Sequence, residues 1–188
     1  MRSTIPLFLF ALAASAPALA AEVVPLPYFD SVELRGGGTI VMVPGPVERV
    51  TVLEGSTAFT SFRMERDREL RIDACDERCP NHYRLTIRIE SPKVPAALAV
   101  YGGGTITTLA GFHSQSELAA SVRGGGRIDT RALDVADVAA AVDGGGELLV
   151  RAQSNLAASV EGGGAIRYWG DPAVASSTRG GGSIQRGY

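Results

Sequence analysis

Few side chains in this sequence are placed to do chemistry. Two residues are His and two are Cys in a chain of 188. Cys75 and Cys79 stand in the run Cys-Asp-Glu-Arg-Cys-Pro. That spacing is not the Cys-x-x-Cys of redox or zinc sites, and no second pair exists to complete a zinc ribbon. It suits a loop closed by a Cys75–Cys79 disulfide, with His82 as a third metal ligand the alternative. His113 lies in a link between repeats and reads, like His82, as a surface residue. Paired carboxylates are the other route to catalysis. Asp143 and Glu161 occupy the same position of neighbouring repeats, but so do Arg123 and Arg179, so the four read as an outward ladder of charge. No Ser sits in a nucleophile elbow, and no Cys is free once the loop is closed. The aromatics near the repeat frame, Tyr101 and Trp169, are candidates for binding. Tyr168 falls two residues after the inward Ile166, so it is expected to face the core and leave Trp169 exposed. Trp169 folded over a turn is the other arrangement.

These residues take their places from a repeat. Eighteen of the 23 Gly lie in six triplets: Gly36-Gly37-Gly38, Gly102-Gly103-Gly104, Gly124-Gly125-Gly126, Gly144-Gly145-Gly146, Gly162-Gly163-Gly164 and Gly180-Gly181-Gly182. The last five start 22, 20, 18 and 18 residues apart. Two residues before the triplets stand Leu34, Val100, Val122, Val142, Val160 and Thr178; two after them stand Ile40, Ile106, Ile128, Leu148, Ile166 and Ile184. Apolar residues at every second position mean strands with one face turned to a core. A period near 20 residues predicts a solenoid in which stacked coils bury what one coil cannot. Each triplet, its middle residue included, is then a corner that needs positive φ or close backbone approach, which Gly supplies without steric cost. No triplet is followed by Lys-Ser/Thr, so a phosphate loop is not indicated. The same frame sets Arg127 beside Glu147.

Residues 21–95 depart from the frame. Arg49–Leu53, Leu70–Asp73 and Tyr83–Ile89 alternate as strands do. The last two flank the Cys loop and read as a hairpin. The repeats proper fill residues 96–188, and the two parts read as one folded unit.

Eighteen Lys and Arg against 20 Asp and Glu leave a net charge of -2, which gives no footprint for nucleic acid. No cofactor is implied. Residues 1–20 carry Arg2, an apolar run from Ile5 to Ala14, and Ala18-Leu19-Ala20 as a small-x-small cleavage site. This reads as a signal peptide cleaved after Ala20. No later segment is apolar enough to span a membrane. The expectation is a periplasmic or secreted protein, in a compartment that favours the disulfide.

The Leu-Arg-Gly-Gly-Gly-Thr-Ile coil, the Leu-Thr-Ile-Arg-Ile-Glu-Ser-Pro strand and the tandem of Gly-rich coils after it resemble the bacterial family called putative auto-transporter adhesin, head GIN domain. The likeness spans essentially the whole chain after residue 20. Family members usually carry Gly-Ser-Gly followed by Asp; here the middle residue is always Gly, and Glu147 alone keeps an acid after a triplet. The resemblance implies a parallel β-helix of the pectin-lyase-like sort, an adhesive role and no catalytic residues. The sequence is therefore read as an all-β solenoid that binds or scaffolds without catalysis, its partner a glycan or an envelope or host protein. A polysaccharide-acting enzyme of β-helix type is the alternative. The last coil puts Val174, Ser176 and Thr178 at inward positions, which predicts weak end-to-end self-association.

Overall fold

The computed structural model describes residues 21–76 and 78–188; the leader read at residues 1–20 lies outside them. Sixteen strands follow one another: β1 (Glu22–Val24), β2 (Ser31–Gly36), β3 (Thr39–Pro44), β4 (Arg49–Glu54), β5 (Ser61–Met64), β6 (Glu69–Asp73), β7 (Thr86–Ser91), β8 (Ala97–Gly102), β9 (Thr105–Thr108), β10 (Gln115–Gly124), β11 (Arg127–Asp129), β12 (Val135–Gly144), β13 (Glu147–Gly162), β14 (Ala165–Trp169), β15 (Ala173–Arg179) and β16 (Ser183–Arg186). One turn of 3-10 helix, Arg66–Arg68, precedes β6.

The strands sort by their place relative to the corners. Those entering a corner form one ladder, in the order β5, β6, β2, β8, β10, β12, β13, with β15 beyond β13. Those leaving a corner form a second, in the order β1, β4, β7, β3, β9, β11, β13, with β14 and β16 beyond. The 16 residues of β13 belong to both ladders and join them. The repeat frame is also the register: Val122 pairs with Val142, Gly124 with Gly144, and Arg127 with Glu147. The shortening period has a simple origin. A connection of residues 109–114 separates β9 from β10, one of 130–134 separates β11 from β12, and β13 runs from one corner to the next without any.

The expected parallel β-helix is corrected by this topology. The sixteen strands make one mixed sheet whose strand order runs open from β1 to β5, and it is not a closed solenoid. Parallel pairing holds through the Gly repeats, but β1 with β4, β4 with β7 and β5 with β6 are antiparallel. Alternation of side chains reports which face is inward and says nothing about strand direction. The hairpin expected around the Cys loop is also absent: β6 pairs with β2 in the first ladder and β7 with β3 in the second. Ala74 and Leu85 thus stand beside Gly36 and Gly38 of the neighbouring coil, with Ala74 N–H donating to Arg35 O and Thr39 N–H to Leu85 O.

The core lies between the inward faces of the ladders. Leu34, Val100, Val122, Val142 and Val160 from the first meet Ile40, Ile106, Ile128, Leu148 and Ile166 from the second, all at 2% exposure or less. Burying each such side chain contributes about 1.5–3 kcal/mol before entropy is counted. In the corners the three Gly differ. Gly144 has φ +116, which disfavours any L side chain. A Cβ on Gly146 would lie 2.4 Å from Val122 Cγ1 of the preceding coil. Gly145 has neither constraint: nothing lies within 4 Å of its Cβ position, and its φ is unexceptional. The middle residue is therefore not held to Gly as expected. What it contributes is its backbone, the Gly145 N–H donating to Gly124 O at 3.0 Å.

Candidate functional site

Parallel stacking places Arg123, Asp143, Glu161 and Arg179 side by side on β10, β12, β13 and β15. Arg123 Nε lies 3.4 Å from Asp143, and Arg179 Nη1 lies 3.2 Å from Glu161. All four side chains are well exposed. Each acid has an arginine partner, so the column is an exposed ladder of paired charge.

Tyr101 continues this column on β8. The guanidinium groups of Arg35 and Arg123 each lie 5.1 Å from its ring centroid, one from each adjacent strand. Beside the column, the outer face of the first ladder has almost no side chains. Alternate residues there are Ala97, Ala99, Ala119, Ser121, Ala139, Ala141, Ala157, Ser159, Ala175 and Ser177, which floor a trough of about 680 Å³. Glu33 closes one end. It is 6% exposed and accepts hydrogen bonds from Arg35 Nε and, at 3.0 Å, Arg71 Nε. Sequence reasoning did not find this face, though the signal is present: from β8 to β15 the two outward positions next to the charged column are Ala or Ser, and the row beyond them holds Glu117, Asp137 and Asn155.

Trp169 sits elsewhere, at the end of β14 on the outer face of the second ladder. It is half-buried, as is Tyr168. The Arg131 guanidinium lies 5.2 Å from its ring centroid, Gly187 packs against it, and its Nε1 donates to Tyr188 O at 3.3 Å. Trp169 lines a cleft of about 430 Å³ with Thr107, Asp129, Arg131 and Arg151. Tyr101 and Trp169, the two aromatics singled out in the sequence, therefore do not share a surface. Asp129 accepts from Arg131 Nε at 2.9 Å and Nη2 at 2.7 Å, with Arg127 Nη2 at 3.5 Å. Burial by itself would raise its pKa; the hydrogen bonds from Arg131, with the charges of Arg131 and Arg127, outweigh that and hold the carboxyl below the usual range.

Cys75 and Cys79 are joined by a disulfide, and His82 and His113 are exposed. Among the described residues no group of three His, Cys, Asp or Glu is placed to hold a metal ion. No helix among them is long and apolar enough to cross a membrane.

With this geometry in hand, the chain can be set beside known proteins. Residues 96–172 match the family described as putative auto-transporter adhesin, head GIN domain. That span is the Gly-rich repeat from β8 to β14, narrower than the whole chain after residue 20. A putative adhesin from Bacteroides fragilis superposes with a TM-score of 0.54 at 17% identity, over 89% of this chain and 96% of the other. A putative adhesin from Parabacteroides merdae gives 0.45 at 15% identity, over 90% and 96%. A putative cell adhesion protein from Clostridium sporogenes gives 0.38 at 10% identity, over 89% and 98%. At 17% identity the likeness to the Bacteroides fragilis protein is one of fold. No curated protein matches the chain.

Proposed function

We propose, taking the match of residues 96–172 to the GIN-type adhesin heads as the premise, that this chain is an exported, non-enzymatic adhesin head. Its binding face in this reading is the trough of the first ladder. The observation that carries the reading is the floor itself: Ala and Ser on successive parallel strands, in two rows between the charged column on one side and Glu117, Asp137 and Asn155 on the other. Such a floor lets an extended polymer approach the backbone closely. The Ala and Ser of the floor carry no charge, and the acids around it, Glu33, Glu69, Glu117 and Asp137, disfavour a polyanion, so a neutral glycan stretch suits it better. Because the floor belongs to a hydrogen-bonded ladder rather than to loops, little order is lost on binding. The adhesin names borne by similar folds support the same class of role.

The test is binding of the purified protein to a glycan array and to intact cells, beside Ala139→Arg. That substitution puts a long charged side chain in the middle of the floor while its own backbone stays in the ladder. Binding that disappears in the variant, with an unchanged melting temperature, supports the trough. Equal binding by both proteins places the adhesive surface elsewhere. Export is checked on the same preparation, since the mature chain should begin at Ala21.

A further inference from the structure

We propose that the cleft beside Trp169 is a second binding site, a receptor for the carboxylate of an acidic sugar, with Arg151 as its anchor. Of three arginines on this part of the second ladder, two turn terminal nitrogens onto carboxylates. Arg131 turns Nε and Nη2 onto Asp129, and Arg127 holds Glu147 and Asp129. Arg151 differs. Its Nε donates to Arg131 O at 3.0 Å and lies 3.7 Å from Asp134, which fixes the guanidinium from one side. Neither of its terminal nitrogens donates to any group among the described residues, and the side chain lines the cleft. A guanidinium held at Nε with two free terminal N–H edges is the shape that a carboxylate fits by two parallel hydrogen bonds. The remaining walls suit a sugar. The Thr107 hydroxyl makes no hydrogen bond among the described residues and can pair with a ring hydroxyl, and the Trp169 indole offers apolar edge to C–H groups. Asp129 in the cleft and Asp134 close to Arg151 keep the local charge near zero, which favours a singly charged carboxylate over a doubly charged phosphate.

This assignment is independent of the trough, and the protein carries its own reporter because Trp169 is its sole Trp. The experiment titrates the protein with trigalacturonate, following tryptophan emission and the heat of binding, and repeats it with the methyl ester of the same sugar. Saturable binding of the acid is expected, weakened by about tenfold or more on esterification and in Arg151→Gln, and also in Arg151→Lys, which keeps the charge and loses the fork. Near-UV circular dichroism establishes that the variants are folded; if one is not, Thr107→Val and the esterified probe still decide. No saturable signal in either measurement, equal binding of acid and ester, or full binding by folded Arg151→Gln would each overturn the proposal.

Discussion

Gly145 and Gly146 are chemically identical and adjacent, and the structure asks very different things of them. A methyl added to Gly146 would press into Val122 and lie 2.7 Å from the carbonyl oxygen of Gly126. A methyl added to Gly145 meets nothing within 4 Å. The Ser that family members carry at the middle of this triplet would be equally free here. Gly146→Ala is therefore expected to destabilise by about 2 kcal/mol or more, as overpacking against backbone does. Gly145→Ala should stay within about 0.5 kcal/mol. Urea denaturation of the two variants side by side checks this, and equal losses would remove the distinction between the corner positions. Asp129 supports a second prediction at this scale. Its folded pKa lies below its unfolded one, so the stability it contributes is full above the ordinary carboxylate range and drains away as pH falls through the folded value. Stability of the native protein should therefore drop, as pH falls below about 4, by more than that of Asp129→Asn, measured by denaturation midpoints at each pH. Parallel curves would show that Arg131 and Arg127 do not hold this carboxyl in its charged form.

Elements were legible where sequence and register coincide. The apolar columns, the pairing of Arg127 with Glu147 and the charged column of Arg123 and Asp143 follow from a frame counted along the chain, because parallel strands stack equivalent residues. Strand direction was not legible. Arg49–Leu53 alternates in the same way whether β4 runs with β7 or against it, and it runs against it. The trough escaped notice because Ala and Ser are unremarkable one at a time; only their alignment on β8 to β15 makes a surface. The Cys loop was recognised as a disulfide, but its job depends on knowing that β6 and β7 lie in different ladders. It takes the place of a Gly corner on the coil next to β2 and β3, where Ala74 and Leu85 pack beside Gly36 and Gly38. Five residues closed by one bond constrain the unfolded chain little, so replacing both Cys by Ser should cost less than the roughly 3 kcal/mol of a 15-residue loop. Calorimetry should show a lowered midpoint with the transition still cooperative. A split transition would mean that this corner holds the antiparallel strands to the repeat.

The whole molecule is built of neighbours in contact with neighbours, and its dynamics should follow the ladder. Each interior coil is hydrogen-bonded above and below, and β13 ties the two ladders together over its 16 residues. In β15, by contrast, all seven residues are exposed, including Val174 at 41%; it pairs with β13 alone, and β16 pairs with β14 alone. Local opening there breaks one set of ladder bonds and exposes little new apolar surface, so its free energy lies well below that of global unfolding. Hydrogen exchange followed by mass spectrometry should find the slowest amides in β10, β12 and β13 and the fastest strand amides in β15 and β16. The coupling can be tested in the same measurement. Val142→Ala leaves a gap in the buried column between Val122 and Val160, and in a nearest-neighbour stack that loss is felt first by the adjoining strands. Exchange should quicken in β10, β12 and β13 while the antiparallel strands β1 and β4 keep their wild-type rates. Equal acceleration across all sixteen strands would mean that the sheet opens as a single cooperative unit, and that the repeat, although it sets the register, does not divide the stability.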